Sequence, residues 1–301
     1  MTTPDNVPNA SARGHRLRFG AVTGQHQLTW TALRDQWRAI EEFGFDSVWL
    51  FDHFMALYGD PDGPCLEAST LLAALARETS TIRIGVLVYG NTHRHPAVLA
   101  KEMVTVDHVS DGRLTLGIGS AWNEREHDAY SLPFPSAGDR VAMLDESLTV
   151  MRMLFSNRRT SFEGHFYQLH DAPFAPKPLQ AHLPIMVGGK RPKMLATVAR
   201  HADVWNSGGT PAELAARGAE LADRCREIGR DPAEIVWSVT LGADRLEDGD
   251  GFTALVEQYR AVGVSEFLFD WPLGGTGLET ATRIAREQLP RLRAREPAQS
   301  E

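Results

Sequence analysis

The 301-residue chain has only two cysteines, Cys65 and Cys225, 160 positions apart. So few exclude a disulfide framework and a cysteine-rich metal site, and they fit two free thiols in a reducing compartment. No apolar run reaches the roughly 18 residues that a membrane-spanning helix needs, which excludes a membrane span. A basic excess is also missing: 31 Lys+Arg stand against 39 Asp+Glu, for a net charge of −8. Nucleic-acid binders carry the opposite balance, so no nucleic-acid partner is expected. The opening stretch MTTPDNVPNASARGHR lacks the apolar segment of an export signal, which points to the cytoplasm. Its polar composition predicts a mobile tail over 1–16, and a similar tail is expected over 293–301.

What is present is ordinary globular material, 43% hydrophobic and 23% charged, enough for a large core. Strand-like and helix-like segments alternate. Ser47-Val48-Trp49-Leu50-Phe51 is too continuously apolar for a strand with one wet face and suits a parallel sheet covered on both sides. Before it, Leu33, Trp37 and Ile40 recur at helical spacing, with Gly44 just past the helix end. The pattern gives eight strands starting near 17, 47, 82, 113, 184, 203, 235 and 266, with helices over 66–79, 96–109, 140–155, 191–202, 210–228, 251–262 and 277–289. Thr210-Pro211-Ala212-Glu213 and Thr276-Gly277-Leu278-Glu279 have capping-box spacing at two helix starts.

Strict alternation predicts an α/β fold, a (βα)8 TIM barrel forming one domain over 17–292. The rival is a doubly wound sheet, but Trp122 stands where the dinucleotide fingerprint after Gly117-Ile118-Gly119 needs a third glycine. The long gap between the fourth and fifth strands must hold an insertion, about 156–183, with a hairpin around Gly164 and a proline-held extended segment after it.

In such a barrel the chemistry lies at the C-terminal ends of the strands. Gly188-Gly189-Lys190-Arg191-Pro192-Lys193 joins backbone donors, a helix start and three cations into a local anion site, most simply for phosphate; the bland alternative is a solvated cationic loop. Asp52-His53 closes strand two, where an imidazole can donate a hydrogen bond or relay a proton, or simply be a satisfied structural histidine. His93-Arg94-His95 has the look of a metal motif but lies directly before Pro96, where a helix is expected to start. After strand four come Trp122, able to stack on a flat cofactor or to plug the barrel mouth, Asn123, and the carboxylates Glu124 and Glu126, which can serve as acid or base or pair with Arg125 or Arg140.

These strand ends resemble the luciferase-like monooxygenase superfamily, most closely its branch of coenzyme F420-dependent oxidoreductases. The resemblance rests on WRAIEEFGFDSVWLFDH (37–53), YGNTHRHPAVLAK (89–101), SDGRLTLGIGSAWNERE (110–126), PKPLQAHLPIMVGG (176–189) and DVWNSGG (203–209). It implies a flavin or 5-deazaflavin across the barrel mouth, its ring near strands two to four and its phosphate near the loops after strands five and six. It also implies a non-prolyl cis peptide within Val86 to Tyr89, and a homodimer through helices beside strands two and three. The chain departs from the superfamily's sugar-phosphate dehydrogenases at Trp122 and at strand one, where Gly24 and Gln25 stand near their glutamate, so glucose 6-phosphate does not carry over as substrate.

The expected enzyme is therefore an F420-dependent oxidoreductase acting on a small molecule, with FMN-dependent monooxygenation as the alternative. Its catalytic candidates are His53, Trp122 and Glu124. Its cofactor candidates are Asp52, His53, Val88, Asn91, Thr92, Ser120, Trp122, Asn123, Gly188, Gly189, Lys190 and Asn206, with no metal. A metal-dependent barrel hydrolase using His53, His93 and His95, and a cofactor-binding protein without turnover, remain as readings of other classes.

Overall fold

Strands buried on both faces need cover on each side, and parallel strands need a crossover helix each. The computed structural model, which describes residues 14–247, 249, 251–272 and 275–295, meets both demands by closing the sheet on itself. Its strands are β1 (Arg18–Val22), β2 (Ser47–Leu50), β3 (Arg83–Val86), β4 (Tyr89–Gly90), β5 (Leu114–Gly119), β6 (Arg159–Glu163), β7 (Gln168–Pro173), β8 (Ile185–Gly188), β9 (Val204–Ser207), β10 (Val236–Leu241) and β11 (Glu266–Asp270). The ring runs β1-β2-β3-β5-β8-β9-β10-β11 and returns to β1, parallel at every step. This is an eight-stranded TIM barrel, with each expected strand start within one residue of the observed one.

The third strand differs from the continuous run expected over 82–88. It breaks after Val86, passes through a non-prolyl cis bond between Leu87 and Val88, and resumes as β4, which pairs Tyr89 with Ile118 and Gly90 with Gly119. That cis bond falls within the window implied by the family resemblance. The break sits at the barrel mouth, so Val88 points where a regular strand would not send it.

The helices follow their apolar spacing. Helix α1 (Trp30–Glu42) buries Leu33, Trp37 and Ile40, and the Thr29 hydroxyl accepts from Ala32 N at its start. Then come α2 (Ala68–Glu78), α3 (Pro96–Val109), α4 (Glu124–Tyr130), α5 (Ala137–Ser156), α6 (Pro192–His201), α7 (Pro211–Glu227), α8 (Asp244–Glu247), α9 (Phe252–Arg260), α10 (Gly275–Arg283) and α11 (Leu289–Ala294). The capping box Thr210/Glu213 forms at α7. The one expected at Thr276 does not, because α10 already begins at Gly275. Among the described residues no helix is long and apolar enough to cross a membrane.

Between β5 and β8, strands β6 and β7 form an antiparallel hairpin closed by Gly164 N donating to Tyr167 O at 2.9 Å. Glu146 of α5 fixes its tip by accepting from the backbone of His165, Phe166 and Tyr167 at 2.8, 2.9 and 3.2 Å. The C-terminal tail expected from Arg293 does not begin there. Arg293 lies in α11, donates to Gly44 O at 3.0 Å and pairs with Asp46 at 2.6 Å, so its charge is committed to the barrel base. Residues 1–13 and 296–301, on which the rest of the tail expectations fall, lie outside the described residues.

Gly117 marks the tightest point near the mouth: a Cβ there would stand 2.1 Å from the backbone oxygen of Val86. No rotamer can relieve contact with a carbonyl, so strands β3 and β5 would have to separate. Gly117→Ala should therefore lower stability by about 2–3 kcal/mol. Urea unfolding reads this directly, and an unchanged midpoint would show that the two strands yield freely.

Candidate active site

The C-terminal strand ends open into one cavity of about 540 Å³. Ten of the expected site residues line it: Asp52, His53, Val88, Ser120, Trp122, Asn123, Gly188, Gly189, Lys190 and Asn206. Its floor follows from the broken third strand. Val88 packs where Cβ atoms on Gly117, Gly119 and Gly188 would lie 3.3, 2.9 and 3.4 Å from its methyl groups, so three glycines make room for one branched side chain.

Asp52 is almost wholly buried and fully paired. It accepts from Gly90 N, His93 Nδ1 and Arg94 Nη1, each at 2.9 Å. Burial alone would raise its pKa, but the His93 hydrogen bond, the Arg94 charge and the Gly90 N–H together hold it below the ordinary carboxylate value. Arg94 reaches on to Glu67 at 2.6 Å. Asp52 thus pins the end of β2 to β4 and to the approach of α3. It supports the cavity wall more than it offers a free group to a ligand.

His53, the next residue, is different. Its Nδ1 lies 2.8 Å from Glu126 Oε2. Glu126 is fully buried and also accepts from the backbone of Phe54 and of Met55 (3.3 Å) and from Asn123 Nδ2 (3.4 Å). Burial works against its charge, yet the His53 bond, the Phe54 N–H and the nearby histidines keep its pKa below the usual glutamate value. An ionised carboxylate can only accept, so Nδ1 carries a proton and donates it to Glu126. No protein group takes Nε2 among the described residues, and His53 lines the cavity.

The carboxylate at the site is therefore Glu126, not Glu124 as expected. The two are two residues apart on α4, a rotation of about 200°, so one faces inward when the other faces solvent. Glu124 is exposed and does not line the cavity. The inward pair on α4 is Glu126 and His127, a signal that the sequence alone hides in a seven-residue helix. Nor does Glu126 pair with Arg125 or Arg140.

Asn91 and Thr92 also leave the cavity lining. Asn91 is buried behind the wall, its Nδ2 donating to the Tyr167 hydroxyl at 3.3 Å, and Thr92 Oγ1 meets His127 Nε2 at 2.6 Å. After the register change that follows Val86, Asn91 packs towards the hairpin and Thr92 towards α4. Asn206 lines the cavity, but its amide is spent on Ser238 and Thr240 of β10 at 3.1 and 3.0 Å. Of the glycine pair, Gly189 N already donates to Asn206 O at 3.0 Å. The anion-binding capacity of this corner lies instead in Lys190, which is exposed and without an ion pair among the described residues, and in the start of α6, where Arg191 supplies no side-chain cap.

The three histidines of the metal reading take separate partners: His53 on Glu126, His93 on Asp52, and His95 accepting from Ala97 N at 3.2 Å as the cap of α3. Among the described residues no cluster of three metal-ligating side chains forms. His93 Nε2 is buried at the cavity wall with no partner, the kind of polar atom a bound ligand or water satisfies. Cys65 Sγ donates to His53 O at 3.4 Å and touches His26 Nδ1 at 3.5 Å. Burial, then the Glu126 charge, push its thiol up to about 11, which leaves it neutral and unreactive.

Trp122 projects from the mouth, 67% exposed, with its ring edge-on to His53 at 5.7 Å. Ala121 before it takes a left-handed φ of +62°, a strained conformation for a residue with a side chain, and this turns the tryptophan outward. A flat apolar floor, an unpartnered buried imidazole nitrogen, a proton-carrying dyad and a free cation beside a helix start fit a planar redox cofactor with a phosphate.

Comparison with known proteins agrees with that geometry. A family model described as luciferase-like monooxygenase matches residues 15–245. An F420-dependent glucose-6-phosphate dehydrogenase of Kineococcus radiotolerans is 35% identical over 193 residues, 63% of this chain and 56% of that protein. One of Intrasporangium calvum is 33% identical over 190 residues, 62% of this chain and 56% of that protein. The chain thus spans little more than half the length of these relatives. An F420-dependent secondary alcohol dehydrogenase, solved with an F420-acetone adduct, shares the fold at a TM-score of 0.81 and 19% identity, over 91% of this chain and all of that one.

Glu126→Gln keeps the shape but offers an amide that cannot serve all four donors. It should cost about 2–3 kcal/mol, and nitrogen-15 NMR should show the proton on His53 Nδ1 losing its preference. Because the Glu126 pKa is depressed by folding, its contribution is present above the ordinary carboxylate range and is lost as pH falls through the lower folded value. The stability gap between wild type and Glu126→Gln should therefore narrow in acid. A gap that stays constant would remove the charge from the account.

Proposed function

The chain belongs to the luciferase-like monooxygenase family, and from that membership we propose that it is an oxidoreductase using coenzyme F420 to exchange a hydride with a small organic substrate. The observation that carries the proposal is the His53–Glu126 pair at 2.8 Å, open on its other side to the cavity. Relatives named as F420-dependent at 35% and 33% identity support the choice of cofactor.

When bound, the deazaflavin supplies the two-electron hydride acceptor or donor. The chain's residues do the rest. Leu87 and Val88 line the cavity where they would support the ring, and Lys190 with the first turn of α6 would hold the phosphate. His53 Nε2 takes the proton from a substrate hydroxyl or returns it to a carbonyl oxygen, work worth roughly 10²–10⁴ in rate. Glu126 holds Nδ1–H and stabilises the imidazolium that forms. Trp122 covers the outer side and limits water. Asp52 and Asn123 position these groups, and Ser120, Gly188, Gly189 and Asn206 shape the wall.

We place the enzyme in the cytoplasm, in keeping with two cysteines, Cys65 and Cys225, that form no disulfide. We further propose a homodimer through α2 and α3, where Val98 is 53% exposed.

Titration of the protein with F420 and, separately, FMN should show tight binding of F420. Tight binding of FMN alone would move the reading to oxygen chemistry, and binding of neither would end the cofactor assignment. Lys190→Ala should weaken F420 binding about tenfold. His53→Asn should lower turnover at least about a hundredfold while leaving F420 affinity nearly unchanged. Undiminished turnover in that variant would take His53 out of the reaction.

A further inference from the structure

We propose that the substrate end of this cavity takes an uncharged alcohol or carbonyl compound with an aromatic or apolar body, and discriminates against phosphorylated and carboxylate substrates. The proposal rests on the cofactor reading above and deepens it.

The aromatic side of the argument is the arc of rings through His53. Trp122 and Tyr58 both line the cavity, and they are 67% and 69% exposed. Trp122 stands edge-on to His53 at 5.7 Å. Tyr58 stands edge-on to His26 at 6.0 Å, and His26 lies 6.3 Å from His53. Phe51 and Leu57 line the same cavity. Large aromatic surfaces left in water inside a concave site are surfaces that a ligand covers.

The electrostatic side is the placement of charge. Among the residues lining the cavity, Lys190 is the single lysine or arginine, and it stands beside Gly188 and Gly189 at the end assigned to the cofactor phosphate. The fixed charges next to His53 are carboxylates. Glu126 sits on its ring, and Asp52 precedes it in the chain. The one guanidinium nearby, Arg94, is committed to Asp52 and Glu67. The Asp52 charge is matched by Arg94, so an anionic group brought to His53 meets the Glu126 carboxylate, which has no lysine or arginine partner, and finds no free cation beside it; desolvating it there is unfavourable. A hydroxyl or carbonyl needs one hydrogen bond, which His53 Nε2 provides. In the exchange, the hydrogen on the carbinol carbon leaves as hydride to the deazaflavin while the hydroxyl proton passes to His53 Nε2. The alcohol is oxidised to the carbonyl by two electrons and the cofactor is reduced by two; the reverse direction returns both. This sets the chain apart from the relatives named for glucose 6-phosphate.

The test uses a matched pair, the para-carboxamide and the para-carboxylate of α-methylbenzyl alcohol, which are nearly equal in size and shape and differ in charge. Binding to the F420-loaded protein is followed by saturation-transfer NMR and turnover by deazaflavin absorbance. The neutral alcohol should bind at least about tenfold tighter. Tyr58→Arg, which adds a guanidinium at an exposed rim position, should shrink or reverse that preference. Equal or tighter binding of the carboxylate by wild type, or binding of neither compound, overturns the proposal. F420 affinity measured on the same sample keeps the two claims separate. Protein that does not bind F420 yet prefers the neutral alcohol sinks the cofactor reading and leaves the substrate class standing.

Discussion

A carboxylate buried in a protein must find hydrogen-bond donors and a counter-charge, or fold uncharged. Asp52 meets that condition with Gly90 N, His93 and Arg94, and the mouth of the barrel is arranged around the result. The three donors come from the resumed third strand and the loop after it. The register of β4, the approach to α3 and the end of β2 are therefore tied at one point. His53 follows directly in sequence, so its position is fixed by a contact it does not itself make.

The neighbouring carboxylate, Glu126, has a similar environment and a different task. Both are held below the usual carboxylate value, and both are turned away from solvent. Asp52 spends its charge on groups that cannot move. Glu126 spends part of its charge on an imidazole whose other nitrogen faces the cavity, so proton gain and loss at His53 are felt by a partner that stays ionised. One carboxylate ties the backbone of the mouth together, and the other is bonded to a histidine that lines the cavity.

The cavity is also divided along its length. Lys190 and the start of α6, which has no side-chain cap, stand at one end, while the aromatic rings of Trp122 and Tyr58 and the paired carboxylates Asp52 and Glu126 stand at the other. A ring lying on Val88 between the two ends would meet a different chemistry at each edge. Orientation then follows from the protein's charge distribution, with no need for a contact to every atom of the ligand.

Much of this was legible in the sequence because it is local. Apolar spacing in α1, the continuous apolar run of β2 and the alternation of elements each arise from residues a few positions apart, and they determined the barrel. Gly188-Gly189-Lys190 and Asp52-His53 were readable as site residues because a barrel puts its chemistry at strand ends. Tertiary structure alone decided the partners. Glu126 meets His53 across 73 positions, and its choice over Glu124 depends on the phase of a short helix packed against the loops after β2 and β4. Asn91 and Thr92 turned away because the third strand changes register after Val86, a break that no hydrophobic pattern marks. Local periods are set by backbone geometry and can be read along the chain; which side chains meet is set by where the closed sheet brings the strand ends together.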